Sequence, residues 1–180
     1  TAYSGWQLQP GVRTIEGELN RCLSELLGEK IQVIGASRTD AGVHALCNIA
    51  VFDTKARIPG EKISYALNQR LPEDIRIRSS CEVPGDFHPR RCESRKTYEY
   101  RILNSSFPVP TRRLYAHFTY VPLNVELMRE AASYLAGEHD FKSFCSAAAV
   151  VESTVRTILD IQIRREGEEI VIQVCGNGFL

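Results

Sequence analysis

The most chemically suggestive stretch of the chain is Arg38-Thr39-Asp40-Ala41-Gly42-Val43-His44-Ala45. It sets a single carboxylate shortly after an arginine and shortly before a histidine. An aspartate in a turn commonly caps neighbouring N–H groups and does no chemistry. A carboxylate beside a guanidinium stays charged, however, and a charged carboxylate serves as nucleophile or base. A second constellation is Arg90, Arg91, Arg95, Lys96, Tyr98, Tyr100 and Arg101, where cations and aromatics interleave. One reading is an exposed strand face with two core tyrosines. The other is a surface for RNA, on which cations meet phosphates and a tyrosine ring stacks on an unstacked base.

Other chemistries have no visible anchor. His44, His88, His117 and His139 form no H-E-x-x-H and have no carboxylate at metal-ligand spacing, so no metal is expected. Cys22, Cys47, Cys81, Cys92, Cys145 and Cys175 lie at wide, irregular spacings without a C-x-x-C pair. That argues for reduced thiols rather than a zinc cluster or a disulfide framework. There is no G-x-S-x-G nucleophile turn and no phosphate loop ending in G-K-[ST], so most cofactor chemistries have no visible anchor. The chain has 180 residues, 43% hydrophobic and 24% charged, which fits one large globular domain or two small ones. Its longest apolar runs, such as residues 147–151, are far too short to span a membrane. Lys+Arg and Asp+Glu number 22 each, so bulk charge would not hold a nucleic acid, although a local basic face would.

These residues need elements to position them. Ile15, Leu19, Cys22, Leu23, Leu26 and Leu27 recur at helical spacing, with Thr14 as N-cap and Gly28 beyond the end. Residues 31–37 and 45–54 read as strands, and they hold the polar Asp40 loop between them. Residues 61–69 fit a short helix and residues 75–79 a short strand. Residues 96–103 alternate, with Tyr98, Tyr100 and Ile102 on one side and Thr97, Glu99 and Arg101 on the other. Residues 104–110 read as a linker, which divides the chain into halves 1–103 and 104–180. In the second half, residues 114–118 read as a strand. A helix capped by Asn124 runs through Leu135, and Gly137 ends it. Residues 155–165 and 169–175 read as strands around a turn at Glu166-Gly167. The mixture predicts an α+β chain rather than a doubly wound sheet.

Seven phrases, in order, resemble the tRNA pseudouridine synthase A family. Tyr3-Ser4-Gly5-Trp6-Gln7-Leu8-Gln9-Pro10 resembles its N-terminal phrase, and Arg38 to Ala45 matches the signature around its catalytic aspartate. Ala66-Leu67-Asn68 with Leu71-Pro72-Glu73-Asp74-Ile75 follows, then Arg95-Lys96-Thr97-Tyr98-Glu99-Tyr100-Arg101-Ile102. Phe141-Lys142-Ser143-Phe144, Val155-Arg156-Thr157-Ile158 and Asn177-Gly178-Phe179-Leu180 complete the series. The family's last phrase continues into a strand and a helix carrying an arginine, and its first strand precedes Thr1, so both ends are expected to be incomplete here. Pro89, Arg91 and Glu93 stand where the family usually has small and apolar residues.

The resemblance implies the pseudouridine synthase fold: two similar α/β-sandwich halves sharing a mostly antiparallel sheet, with the active-site cleft between them. It implies isomerisation of uridine to pseudouridine on the 3′ side of the tRNA anticodon stem-loop, without cofactor or metal. Asp40 would be the catalytic carboxylate. Tyr98 would stack on the target base, which must leave the helix stack to be reached. Arg38 would fill the gap or hold a phosphate, while Thr39, Gly42 and His44 would shape the loop. Arg90, Arg91, Arg95 and Lys96 would form a basic tract for tRNA across a homodimer. The implied setting is the bacterial cytoplasm, with an organelle matrix as the alternative, and no membrane. Two rivals stand beside this reading: a tRNA-binding or tRNA-folding module of the same fold without catalysis, and a small-molecule enzyme or structural oligomer that never meets RNA.

Overall fold

The structure, a computed structural model, describes residues 2–146 and 151–180. All of the apolar run 147–151 except Val151 therefore lies outside the described residues. The chain divides into two compact units, Thr1–Cys92 and Glu93–Leu180.

The first unit is built around helix α1, Ile15–Leu27. Thr14 caps it, its hydroxyl accepting from Gly17 N at 3.2 Å, and Gly28 closes it with φ 69°. The apolar stripe read from the sequence becomes its buried face, Leu19, Cys22 and Leu23. They pack with Tyr3, Trp6, Ile31, Val33, Leu71 and Ile75, and with Ile63 and Leu67 of helix α2, Gly60–Asn68. Two short strands, β1 (Ile34–Gly35) and β2 (Ala50–Val51), pair antiparallel.

Only fragments of the strands expected over 31–37 and 45–54 are therefore laddered, and the expected strand 75–79 is absent from the sheets. The physical reason is side-chain competition for the backbone. Asn20 and Ser24 of α1 accept from Val33 N at 2.8 Å and Ile31 N at 2.9 Å. Asn68 of α2 both accepts from Ile77 N and donates to Ile77 O, each at 2.8 Å. Helix side chains thus take the groups that a neighbouring strand would otherwise pair with.

The second unit is a five-stranded sheet: β3 (Lys96–Asn104), β4 (His117–Thr119), β5 (Gly137–Asp140), β6 (Val155–Glu166) and β7 (Glu169–Gly176), in the order β4-β3-β7-β6-β5. Only the β3–β4 pair is parallel. Helix α3, Val125–Ser133, starts at Asn124, whose side chain accepts from Glu126 N and Leu127 N. Its Met128 and Ala132 pack on the face formed by Ile102, Ile161, Ile163, Ile170 and Ile172. On the opposite face Arg101 bridges Glu99, Glu166 and Glu169, and Arg112 adds a second cation to Glu169.

The α+β class is as the sequence implied. A two-stranded antiparallel pair lies in the first unit, and the other five strands form a mostly antiparallel sheet in the second. The two compact units divide at 92/93. Strand β3, read as the end of the first half, pairs along its length with β7 and so belongs to the second unit. Residues 104–110 also lie within the second unit. Strand β5 went unread because its four residues are all exposed and carry no apolar alternation.

Candidate active site

Asp40 opens a tight turn between β1 and β2. Val43 N donates to Asp40 O at 3.2 Å, and Gly42, at the third turn position, has φ 85°. That backbone is the one a type II turn demands, and glycine adopts it without steric cost. Arg38, Asp40, Gly42 and His44 are exposed, and Thr39 is half-buried. The structure therefore gathers these five predicted residues on one loop. Among the described residues Asp40 makes no ion pair, so the guanidinium two residues earlier accompanies the carboxylate without bonding to it.

The loop is held by a neighbouring strap, residues 4–9. Trp6 N donates to Thr39 O at 2.9 Å. Gly5 lies so close beneath the loop that a Cβ there would stand 2.5 Å from Thr39 O and 3.2 Å from Asp40 C. The strap is itself tied to α1. Ile15 N and Glu16 N, two donors of the first helical turn, donate to Gly5 O at 3.1 Å and Trp6 O at 3.0 Å. Tyr3 anchors the strap's start, donating its hydroxyl to Asp74 at 2.6 Å, with the Arg13 guanidinium 5.1 Å from its ring centre. Burial of the phenol, and then the Asp74 carboxylate beside it, push the Tyr3 hydroxyl up to about 12. The Trp6 indole is buried against Gly35 of β1, where an added Cβ would come 2.5 Å from Cε2.

Arg90 is bonded to the same glycine: its Nε donates to Gly35 O at 2.8 Å. Arg91 is exposed and lines a shallow hollow of about 240 Å³ with Asp86, Phe87, His88 and Cys92. Arg90 and Arg91 belong to the first unit, Arg95 and Lys96 to the second. In the second unit Tyr98 faces Val174 of β7 and is 41% exposed. Its ring stands edge-on to Phe179, with centroids 4.6 Å apart. Tyr100, on the same side of β3, is more exposed, so neither tyrosine is a core residue. Between α3 and this face lies an apolar groove of about 500 Å³, lined by Met128, Leu135, Phe144, Ile161, Val174 and Phe179 among others. Among the described residues no group of three or more His, Cys, Asp or Glu side chains is arranged to hold a metal ion.

A family model described as tRNA pseudouridine synthase matches residues 1–90 and 131–180. The chain belongs to the tRNA pseudouridine synthase family. It is 44% identical over 180 residues to the tRNA pseudouridine synthase A of Thermoanaerobacter sp. (strain X514), covering all of this chain and 74% of that protein. It is 45% identical over 181 residues to the tRNA pseudouridine synthase A of Halalkalibacterium halodurans, covering 69% of it. Ruminiclostridium cellulolyticum has another of the same name, 45% identical and covered to 74%. The contacts that Gly5, Trp6 and Gly35 make around the Asp40 turn are what residue-by-residue reading overlooked. Gly5 and the lone Trp6 stand side by side in the first quoted phrase, but what they touch, Thr39 and Gly35, lies far along the chain.

Proposed function

We propose that this chain isomerises uridine to pseudouridine in tRNA, with Asp40 as the essential carboxylate. The observation that carries the reading is an exposed carboxylate on a turn whose preceding carbonyl, that of Thr39, accepts from the buried Trp6. The reaction breaks the bond between ribose C1′ and uracil N1 and forms one between C1′ and C5. The proton of C5 leaves and N1 gains one, so no oxidant or reductant is consumed. A carboxylate serves here by attacking carbon, or by removing and returning a proton.

Tyr98 suits the target base: half-exposed, its ring is steadied from one edge by Phe179. A base flipped out of its stack recovers part of the lost stacking energy on such a ring. Arg38 then occupies the vacated position or holds a phosphate, and Thr39, Gly42 and His44 keep the loop's shape. Arg91, Arg95 and Lys96 supply cations for phosphates, while Arg90 divides its guanidinium between RNA and Gly35. The substrate is the 3′ side of the anticodon stem-loop, the protein acts as a homodimer, and its setting is the bacterial cytoplasm. The organisms of the named relatives support that setting, and no helix among the described residues is long and apolar enough to cross a membrane.

The test is to incubate the full-length protein with unmodified tRNA and map pseudouridine at single-nucleotide resolution. New pseudouridine in the anticodon stem-loop supports the reading. Bound tRNA without product would replace it with a binding module of the same fold, and no tRNA binding would remove RNA altogether.

A further inference from the structure

We infer that Gly5 and Trp6 are positioning residues for Asp40, setting the height and angle of its turn through Thr39. This rests on the reading of Asp40 as the essential carboxylate.

The argument begins at the helix. The first N–H groups of an α-helix have no partner within it, and here two are spent on the carbonyls of Gly5 and Trp6. Residues 5 and 6 are therefore fixed to α1, whose Leu19, Cys22 and Leu23 are core residues. From this fixed point Trp6 N reaches Thr39 O, the carbonyl immediately before Asp40. Gly5 fills the space under the same peptide, and no side chain fits there. The Trp6 indole sets the other boundary, because it packs on Gly35, at the end of the strand that leads into the loop. The strap thus contacts the loop at its start and at the residue before the carboxylate. Arg90, bonded to Gly35 O, closes the arrangement. A loop with an exposed carboxylate gains little fixation from its own burial, so these contacts supply it. Catalytic groups must be held to within a fraction of an ångström, and a misplacement of about 1 Å can cost roughly 100-fold in rate.

Gly11 provides an internal control. It lies on the same N-terminal segment with φ 76°, close to the 84° of Gly5, yet a Cβ there would meet nothing within 4 Å. Gly5→Ala and Gly11→Ala therefore impose the same kind of backbone strain, and only the first pushes on the Asp40 turn.

Both variants are made in the full-length protein, with Trp6→Phe beside them. Single-turnover rate on unmodified tRNA, tRNA affinity, thermal midpoint and exchange of the Trp6 amide proton are measured for each. The expected result for Gly5→Ala is a rate about 100-fold lower with tRNA affinity within about threefold of the parent, and faster exchange at Trp6 N. Gly11→Ala loses thermal stability but keeps its rate and its Trp6 protection. Trp6→Phe, which retains the backbone donor, falls about tenfold in rate. If Gly5→Ala does not fold, Trp6→Phe decides alone, and a parental rate there overturns the inference. A Gly5→Ala rate equal to that of Gly11→Ala also overturns it, while leaving Asp40 as the essential carboxylate. A parent that makes no pseudouridine overturns the reading beneath it, whatever the amide exchange shows.

Discussion

The roles proposed for Tyr98 and for the basic residues are distinguished by substitution. Base–aromatic stacking is worth about 1–3 kcal/mol. Tyr98→Ala should therefore lower kcat/KM by roughly 10- to 100-fold, whereas Tyr98→Phe keeps the ring and should stay within a few-fold of the parent. A Phe variant as slow as the Ala variant would assign the role to the hydroxyl, as a proton donor or acceptor. Arg91 and Arg95 are exposed, and their double replacement by alanine should weaken tRNA binding and flatten its salt dependence. Each lost phosphate contact removes about 0.7–0.9 from the slope of log K against log salt. A slope that does not move contradicts a phosphate role for the pair. Arg90 is left out of this test because its Nε bond to Gly35 O would mix lost support with lost charge.

Among the elements, the side-chain amides of the first unit stand in for sheet ladders. Asn68→Ala removes partners from both Ile77 N and Ile77 O. An unsatisfied half-buried backbone group costs about 1–3 kcal/mol, so the variant should lose roughly 2 kcal/mol in denaturant unfolding with an unchanged m-value. A loss below about 0.5 kcal/mol would mean that water replaces the amide. The same amides explain what was legible in the sequence. Helices α1 and α3 and strands β3, β6 and β7 were readable because periodicity records which face is buried, and caps such as Thr14 and Asn124 announce themselves. Ile31, Val33 and Ile77 are β-branched and apolar, as strand residues would be, but nothing in periodicity tells a backbone partner from an Asn side chain. The membership of β3 was hidden for a related reason. Its partner β7 lies some 70 residues along the chain, and alternation does not name the partner. At the proposed site, the Asp40 loop is marked by its sequence signature, whereas the strap that holds it required contacts between distant segments.

At the scale of the whole molecule, each unit carries groups whose titration links stability to pH. The Tyr3 hydroxyl is raised from its ordinary value near 10 to about 12. Between those values the unfolded chain has already lost this proton while the folded one keeps it, so stability falls as pH rises from about 10 to 12. Tyr3→Phe should be less stable than the parent at neutral pH and should lose less on raising the pH through that window; an equal loss would contradict the assignment. In the second unit, burial works to raise the Glu169 carboxyl, but hydrogen bonds from Arg101 and Arg112 outweigh it and hold it below 4.5. Hydrogen bonding from Gln173, joined by Arg101, lowers Glu99 in the same way. Their contribution is present above the ordinary carboxylate range and is lost as pH falls below it, because the native state must then take up protons that the unfolded state already holds. Glu169→Gln should destabilise the protein at pH 7 by about 1–2 kcal/mol and flatten its acid limb. The most direct measurement, however, concerns the carboxylate on the turn. Asp40→Asn in the full-length protein keeps the backbone carbonyl that Val43 uses, so the turn remains closed. Single-turnover conversion of uridine to pseudouridine in unmodified tRNA should fall by about 10⁴-fold or more, with tRNA affinity within about threefold of the parent. Conversion within about tenfold of the parent would contradict Asp40 as the essential carboxylate.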